Sequence, residues 1–226
     1  MKKKTRPADG GPGSVVSLAV DLHFVRLTPS IRAMPVDFSR LFLMNEGHRS
    51  GSLRAHIDMG TGTHSFAVLR GQAASCRPPR VVRDGGTRVY DLIGTGGVLW
   101  LISPRMRELL VAARISGWRT QPVELDGARA EPLRGYELFI VHGRCGPINN
   151  QLSNRVIVPA RSGRGKALPG WRGLYFDSAT WDGADVFIPG ESALVIVTDR
   201  VRSTLAKARV SNVHLQPLSK VERLVV

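Results

Sequence analysis

Residues 98–125 read VLWLISPRMRELLVAARISGWRTQPVEL, and the fold turns on how this stretch is parsed. Val98 to Ser103 form an apolar run of strand length. Pro104 then stands where a helix has its first residue, a place where its missing N–H removes no needed hydrogen bond, and Ser103 precedes it as N-cap. Met106, Leu109, Leu110 and Ala113 follow at the i, i+3, i+4, i+7 spacing of one helix face. Gly117 is placed to stop the helix, and Trp118 to Leu125 return as a strand.

The same pattern recurs 95 residues later in ALVIVTDRVRSTLAKARVSNVHLQPLSK, residues 193–220. Ala193 to Thr198 make the strand, Thr198 is the expected N-cap, and Asp199 sits in the first turn, where the helix dipole favours an anion. Val201, Thr204, Leu205 and Ala208 repeat the apolar face, and Val213 to Leu218 return. Gapless alignment gives, among its identities, Leu99/Leu194, Arg105/Arg200, Arg107/Arg202, Ala113/Ala208, Arg114/Arg209, Ser116/Ser211, Gln121/Gln216 and Pro122/Pro217. A duplicated strand–helix–strand unit explains this; so does the shared pattern of any such unit in an Arg/Ala/Leu-rich chain. Two helices with one apolar face each need a sheet to cover, which implies an α+β fold with a mixed or antiparallel sheet.

Outward from these units the signals weaken. Tyr136 to Val141 (YELFIV) are a further strand, and His142 to Asp185 a loop-rich excursion. Residues 1–14, polar, basic and Gly/Pro-rich, read as a disordered tail. Residues 15–226 form one expected domain, with a β- and loop-rich part at 15–90 and the repeat-bearing part at 91–226. Within the former, 15–27 suit one or two strands, 38–44 a short helix or a strand, and Phe66 to Leu69 a brief β segment.

At 226 residues and 42% hydrophobic content, the chain can bury a sizeable core without disulfide or metal staples. No run reaches the ~18 apolar residues of a membrane span, and the basic start lacks the apolar region of a secretory signal. With only two cysteines the composition points to a reducing, cytoplasmic setting. The net charge of +14 rests on 26 arginines spread along the chain and six lysines, three of which are Lys2, Lys3 and Lys4 in the basic block KKKTR. That bias is what a GC-rich genome produces by codon drift on a solvated surface, or it is the footprint of an acidic partner; a nucleic-acid protein usually concentrates the charge on one face and interleaves aromatics.

Motifs for catalysis are missing. Gly94 to Val98 (GTGGV) precedes a strand where a phosphate loop needs a helix, and SGRGKA at 162–167 lacks the leading glycine and the Ser/Thr of a P-loop. No serine stands in a nucleophile-elbow spacing, and no local motif makes a histidine a general base. His142 and Cys145 have metal-knuckle spacing, with Cys76 the remaining thiol, but zinc normally takes four such ligands, so no metal or cofactor is expected. Asp177, Asp182 and Asp185 cluster in FDSATWDGADVF as Asx-turn formers, a binding surface, or an acid–base set.

The phrases HGRCGPI, RGLYFDSATWDGADVFIP and the tail from Ala193 resemble the C-terminal half of the myxobacterial double-CxxCG paralogous family and related immunity proteins of polymorphic toxin systems. The resemblance rests on a W-D-G-x-D-x-F loop (Trp181, Asp182, Gly183, Asp185, Phe187) before a strand–helix–strand tail, and covers about 60% of the chain. The second cysteine knuckle is reduced to His142-x-x-Cys145-Gly146 and the first is gone unless Cys76 is its remnant. The resemblance implies a non-enzymatic cytoplasmic protein that binds and neutralises a cognate toxin. The expected toxin-facing residues are Arg144, Trp171, Asp177, Trp181, Asp182 and Asp185. The competing expectation, from charge alone, is a basic nucleic-acid-binding accessory protein.

Overall fold

The computed structural model describes residues 36–58, 64–72, 78–159 and 166–224; the expected tail at 1–14, the expected strands at 15–27 and Cys76 lie outside them. The first half of the described chain carries β1 (Leu41–Glu46), β2 (Arg54–Asp58), α1 (Ser65–Leu69), β3 (Arg80–Gly85), β4 (Leu92–Gly94), β5 (Trp100–Ile102), α2 (Pro104–Ala112), β6 (Trp118–Pro122) and β7 (Glu124–Leu125). The second carries β8 (Glu137–Val141), β9 (Gly143–Cys145), β10 (Asn154–Val158), β11 (Leu168–Arg172), β12 (Val186–Pro189), β13 (Val195–Thr198), α3 (Asp199–Lys207), β14 (Val213–Pro217) and β15 (Glu222–Leu224). With antiparallel and mixed sheets beside these helices, the chain is α+β.

The two strand–helix–strand units lie in sheets of the same order, β4-β5-β8-β6 and β12-β13-β1-β14, the latter extended by β9. Their registers coincide at the 95-residue offset. Glu137 stands opposite Ile102 and Pro122; Phe42 stands opposite Val197 and Pro217. Each unit therefore takes its inner strand from the other half: β8, from the second half, completes the first unit, and β1, from the first half, completes the second. A boundary at residues 90/91 consequently separates nothing, because β1 is an inner strand of the later sheet. The smaller sheets repeat the order as well, β2-β3-β7 and β10-β11-β15, although β3/β7 is parallel and β11/β15 antiparallel.

Both long helices start and stop alike. Ser103 Oγ accepts from Met106 N–H at 3.1 Å, as its capping position predicts. Thr198 holds the equivalent place without a side-chain cap bond; its hydroxyl donates to Asp185 Oδ1 at 2.9 Å, as that of Ser103 donates to Asp91. At the other end Arg114 and Arg209 take left-handed conformations (φ 50° and 51°). Their N–H groups donate to Val111 and Ala206, and those of Ile115 and Val210 donate to Leu110 and Leu205, the paired bonds of a Schellman ending. Gly117 is thus not the stop. Its φ is +87° and a Cβ would lie 2.0 Å from the Val186 carbonyl oxygen, so its role is close backbone approach.

A reciprocal latch joins the units. Asp91 accepts from Ser211 N–H (2.8 Å), Ser211 Oγ (2.7 Å), Ser103 Oγ (2.9 Å) and Arg105 Nη1 (2.8 Å). Asp185 accepts from Ser116 N–H (3.1 Å), Ser116 Oγ (3.1 Å), Thr198 Oγ1 (2.9 Å) and Arg200 Nη1 (3.4 Å). Arg105 and Arg200 each also donate to the final turn of the opposite helix, at the Ala208 and Ala113 carbonyls. Two of the identities noted above, Arg105/Arg200 and Ser116/Ser211, are pairs of latch residues. Leu110 and Leu205 form a further identical pair, almost fully buried in the main core.

Three sequence expectations change. Phe66 to Leu69 belong to α1, whose Val68 and Leu69 are completely buried against the core. Residues 38–44 contain both alternatives in succession: a 3₁₀ turn at Phe38–Arg40, capped by Asp37, then β1. Residues 118–125 are two strands, β6 and β7, in different sheets. No described helix is long and apolar enough to cross a membrane.

Candidate binding surface

The excursion expected to be loop contains the β10–β11 hairpin, whose surface chemistry sets it apart from its counterpart. Asn154–Val158 pair antiparallel with Leu168–Arg172, and Trp171 in turn faces Arg223 of β15. Because side chains alternate across a strand, Arg155, Ile157, Pro169 and Trp171 share the outer face. Ile157 is 67% exposed, while Trp171 is half-buried with the Arg155 guanidinium 5.3 Å from its ring centroid. These four side chains bound a concavity of about 510 Å³. On the other face Leu168 and Leu224 are 46% and 45% exposed. In the equivalent sheet β2 instead exposes Arg54, His56 and Asp58, with Arg80 exposed beside them on β3. A single exposed aliphatic needs no explanation, but Ile157, Pro169 and Trp171 adjoin on one face and form an apolar patch of the kind that marks an interface.

Charge around the patch is cationic. Arg172 is neutralised by Glu222, with two bonds of 2.9 and 2.8 Å. Arg223 is held by Asn150 and the Gly173 carbonyl; burial lowers its pKa, and its Nε–H has no acceptor among the described residues. Arg155 and Lys166 have no carboxylate within ion-pair distance among the described residues.

Of the six residues expected to face a partner, the structure places only Trp171 on this surface. Asp177 caps the 3₁₀ turn Ser178–Thr180 through Ala179 N–H at 3.0 Å. Asp182 accepts from the Arg144 and Ala184 N–H groups at 2.7 and 2.9 Å, pinning that loop to β9. Trp181 donates to the Ala184 carbonyl at 3.2 Å and packs on Phe187, with ring centroids 5.2 Å apart. Asp185 is the buried latch carboxylate. Arg144 donates to the carbonyls of Val141, Gly143 and Arg70, and burial is the foremost cause lowering its pKa. The carboxylates are engaged in holding the chain together; the turn-forming alternative accounts for Asp177 and Asp182, whereas Asp185 makes only long-range bonds to Ser116, Thr198 and Arg200.

The metal-knuckle spacing does not bring ligands together. His142 is exposed, whereas Cys145 is buried in a second core with Leu43, Phe176 and Phe187. Burial, with Asp182 nearby, pushes its thiol up to about 12. Among the described residues no three His, Cys, Asp or Glu side chains gather as a metal site needs. No protein-family model matches the sequence, and neither does any curated protein.

Sequence reading missed Arg155, Ile157 and Pro169. A signal was present in NRVIV (154–158), where apolar residues occupy both parities of a short strand beside arginines. A strand covered on one side alternates; one with aliphatics on both faces needs a second partner or leaves one face apolar to solvent.

Proposed function

We propose that this chain is a non-catalytic binding protein that engages another protein through the β10–β11–β15 sheet. The observation that carries the reading is the exposed outer face of Ile157, Pro169 and Trp171, on a sheet whose counterpart in the first half is charged. An aromatic half-sunk in a rigid strand, ringed by aliphatics and arginines, has the make-up of an interface anchor with a polar rim. The resemblance of the WDGADVF loop and the tail to immunity proteins supplies the partner class, a cognate bacterial toxin held in an inactive complex. The cationic rim fits an acidic patch on that toxin and would speed encounter more than it tightens the complex.

The geometry favours protein over nucleic acid. A sequence-tolerant nucleic-acid surface stacks successive bases on several aromatics. Here one tryptophan stands on the face, Arg155 lies against its ring, and the remaining apolar area is aliphatic. Co-expression with a toxin encoded beside this gene, where one is found, tests the proposal: protection from its toxicity is expected for the native chain and lost in Ile157→Asp, and an isolated gene without rescue would count against it. DNA or RNA affinity that falls steeply with salt, without such protection, would replace this reading with the nucleic-acid one.

A further inference from the structure

The equivalence of the two halves sets apart one arginine and the hollow beside it. Arg49 and Arg144 occupy the same place 95 residues apart, just beyond the inner strands β1 and β8. The backbone before each is pinned alike: Gly47 N–H donates to the Asn212 carbonyl at 2.8 Å, and His142 N–H to the Gly117 carbonyl, 95 residues earlier, at 2.9 Å. The side chains then part. Arg144 turns inward and donates to the carbonyls of Val141, Gly143 and Arg70. Arg49 turns outward onto Tyr90, its guanidinium 5.6 Å from the ring centroid, and lines a hollow of about 310 Å³ together with His48, Arg54, Gly51 and Gly86.

Charge in this hollow does not balance. The carboxylate that lines it, Glu46, faces elsewhere: Oε1 accepts from Asn212 Nδ2 at 3.2 Å, and Oε2 lies over Gly94, where a Cβ would stand 1.8 Å from it. Arg49, Arg54 and Arg88 have no carboxylate within ion-pair distance among the described residues. Packing nevertheless seats them. The Arg88 stem passes Gly51 at 3.6 Å from where a Cβ would stand, Arg54 Nη2 lies 3.3 Å from the same point on Gly85, and Arg83 donates to the Gly86 carbonyl. The floor is fixed as well, since the Thr87 and Arg88 N–H groups both donate to the Gly51 carbonyl, at 3.1 and 2.9 Å. Codon drift accounts for arginines spread over a surface; it does not account for several laid by packing around one hollow without counter-charge.

We infer that this hollow binds a compact, multiply charged anion: a terminal phosphate or pyrophosphate group, free or carried by a small molecule. Guanidinium forks match phosphate oxygens in geometry as well as charge. A carboxylate side chain would bring one negative charge and leave most of the excess uncompensated, whereas a phosphate monoester brings about two and pyrophosphate more. A nucleic-acid backbone presents its charges singly along a line and calls for a stripe of cations; here they surround one hollow, at the small end of ligand-pocket size. The site is built on the β1–β2 and β3–β4 connections and takes nothing from the β10–β11 hairpin, so it stands or falls apart from the protein-binding reading.

Titration calorimetry of the full chain with inorganic pyrophosphate at low salt tests the inference, and amide NMR locates the binding. A saturable isotherm with one site is expected, with shifts centred on Gly51, Ser52 and Gly86. Arg49→Ala and Arg54→Ala should each weaken binding about tenfold, the effect of losing one charge-assisted contact. Lys207→Ala removes the same charge from the exposed end of α3 and should leave the affinity unchanged. Adenosine diphosphate binding more tightly than pyrophosphate would assign the group to a carrier, and the reverse order to the free anion; both support the site. No saturable heat at millimolar pyrophosphate, or an equal loss in Lys207→Ala, would overturn the proposal. So would tighter binding of an oligonucleotide without terminal phosphates, or of a glutamate-rich peptide.

Discussion

Replacing Asp91 by alanine tests how the two units are locked. Its carboxylate is about 10% exposed and receives three hydrogen bonds from Ser103 and Ser211 besides the Arg105 pair. Bonds to an ionised acceptor are worth roughly 1.5–3 kcal/mol each before the cost of burying the charge, and removal also strands the Ser211 N–H. The Arg105 pair adds less than about 1 kcal/mol because that arginine is half exposed. With partial relaxation the net loss is roughly 3–4 kcal/mol, which for a chain of this size lowers Tm by about 10 °C. Asp185→Ala removes the equivalent latch, but its Ser116 bonds are 3.1 Å and its Arg200 contact 3.4 Å, so the loss should be smaller, about 2–3 kcal/mol. Burial acts to raise the Asp91 pKa, yet the Ser211 and Ser103 hydrogen bonds and Arg105 outweigh it and hold the carboxyl below its ordinary range. A group depressed in the folded state stabilises above its unfolded pKa, about 4, and loses that contribution as pH falls through the folded value. The gap in urea midpoint between the native chain and Asp91→Asn should therefore be full at pH 7 and close progressively below about pH 4. A Tm loss under about 3 °C for Asp91→Ala, or a gap that widens in acid, would refute the latch.

Further outcomes follow from single positions. Gly117→Ala should cost about 2–4 kcal/mol in chemical denaturation, because both its φ of +87° and the Val186 carbonyl 2.0 Å from a Cβ oppose the side chain; Gly96→Ala, with nothing near its Cβ but φ +74°, should cost about 1 kcal/mol. Cys145 should resist alkylation at pH 8 in the native chain and react in denaturant, as its buried thiol titrates near 12. Tyr136, whose hydroxyl donates to the Tyr90 carbonyl at 2.8 Å, is pushed up to about 12 by burial and Asp91. Its raised folded pKa makes a contribution that is complete below pH 10 and lost as pH rises toward 12, so absorbance at alkaline pH should show one tyrosine ionising late, together with unfolding.

What the sequence disclosed was local. The strand–helix–strand pattern needs only period and caps, and both are carried by contiguous residues such as Ser103-Pro104 and Met106/Leu110. The exchange of β1 and β8 between halves was not legible, because pairing of Phe42 with Val197 depends on contacts over 150 residues apart and on no local signal. α1 escaped notice because five residues, SFAVL, give too short a window to separate a helix turn from a buried strand. The aspartates of FDSATWDGADVF attracted attention as a polar cluster, yet the bonds of Asp177 and Asp182 to nearby N–H groups are what short side chains in turns ordinarily do. Trp171 is singled out by residue type alone; that Ile157 and Pro169 share its face depends on the hairpin register.

Hydrogen exchange on the chain, free and mixed with a toxin that it neutralises on co-expression, measures the central claim most directly. Slowed exchange concentrated in Asn154–Val158 and Leu168–Arg172 is the expected result. Protection confined to the Asp177–Asp185 loop or to Arg54–Asp58, with the β10–β11 hairpin unchanged, would contradict it.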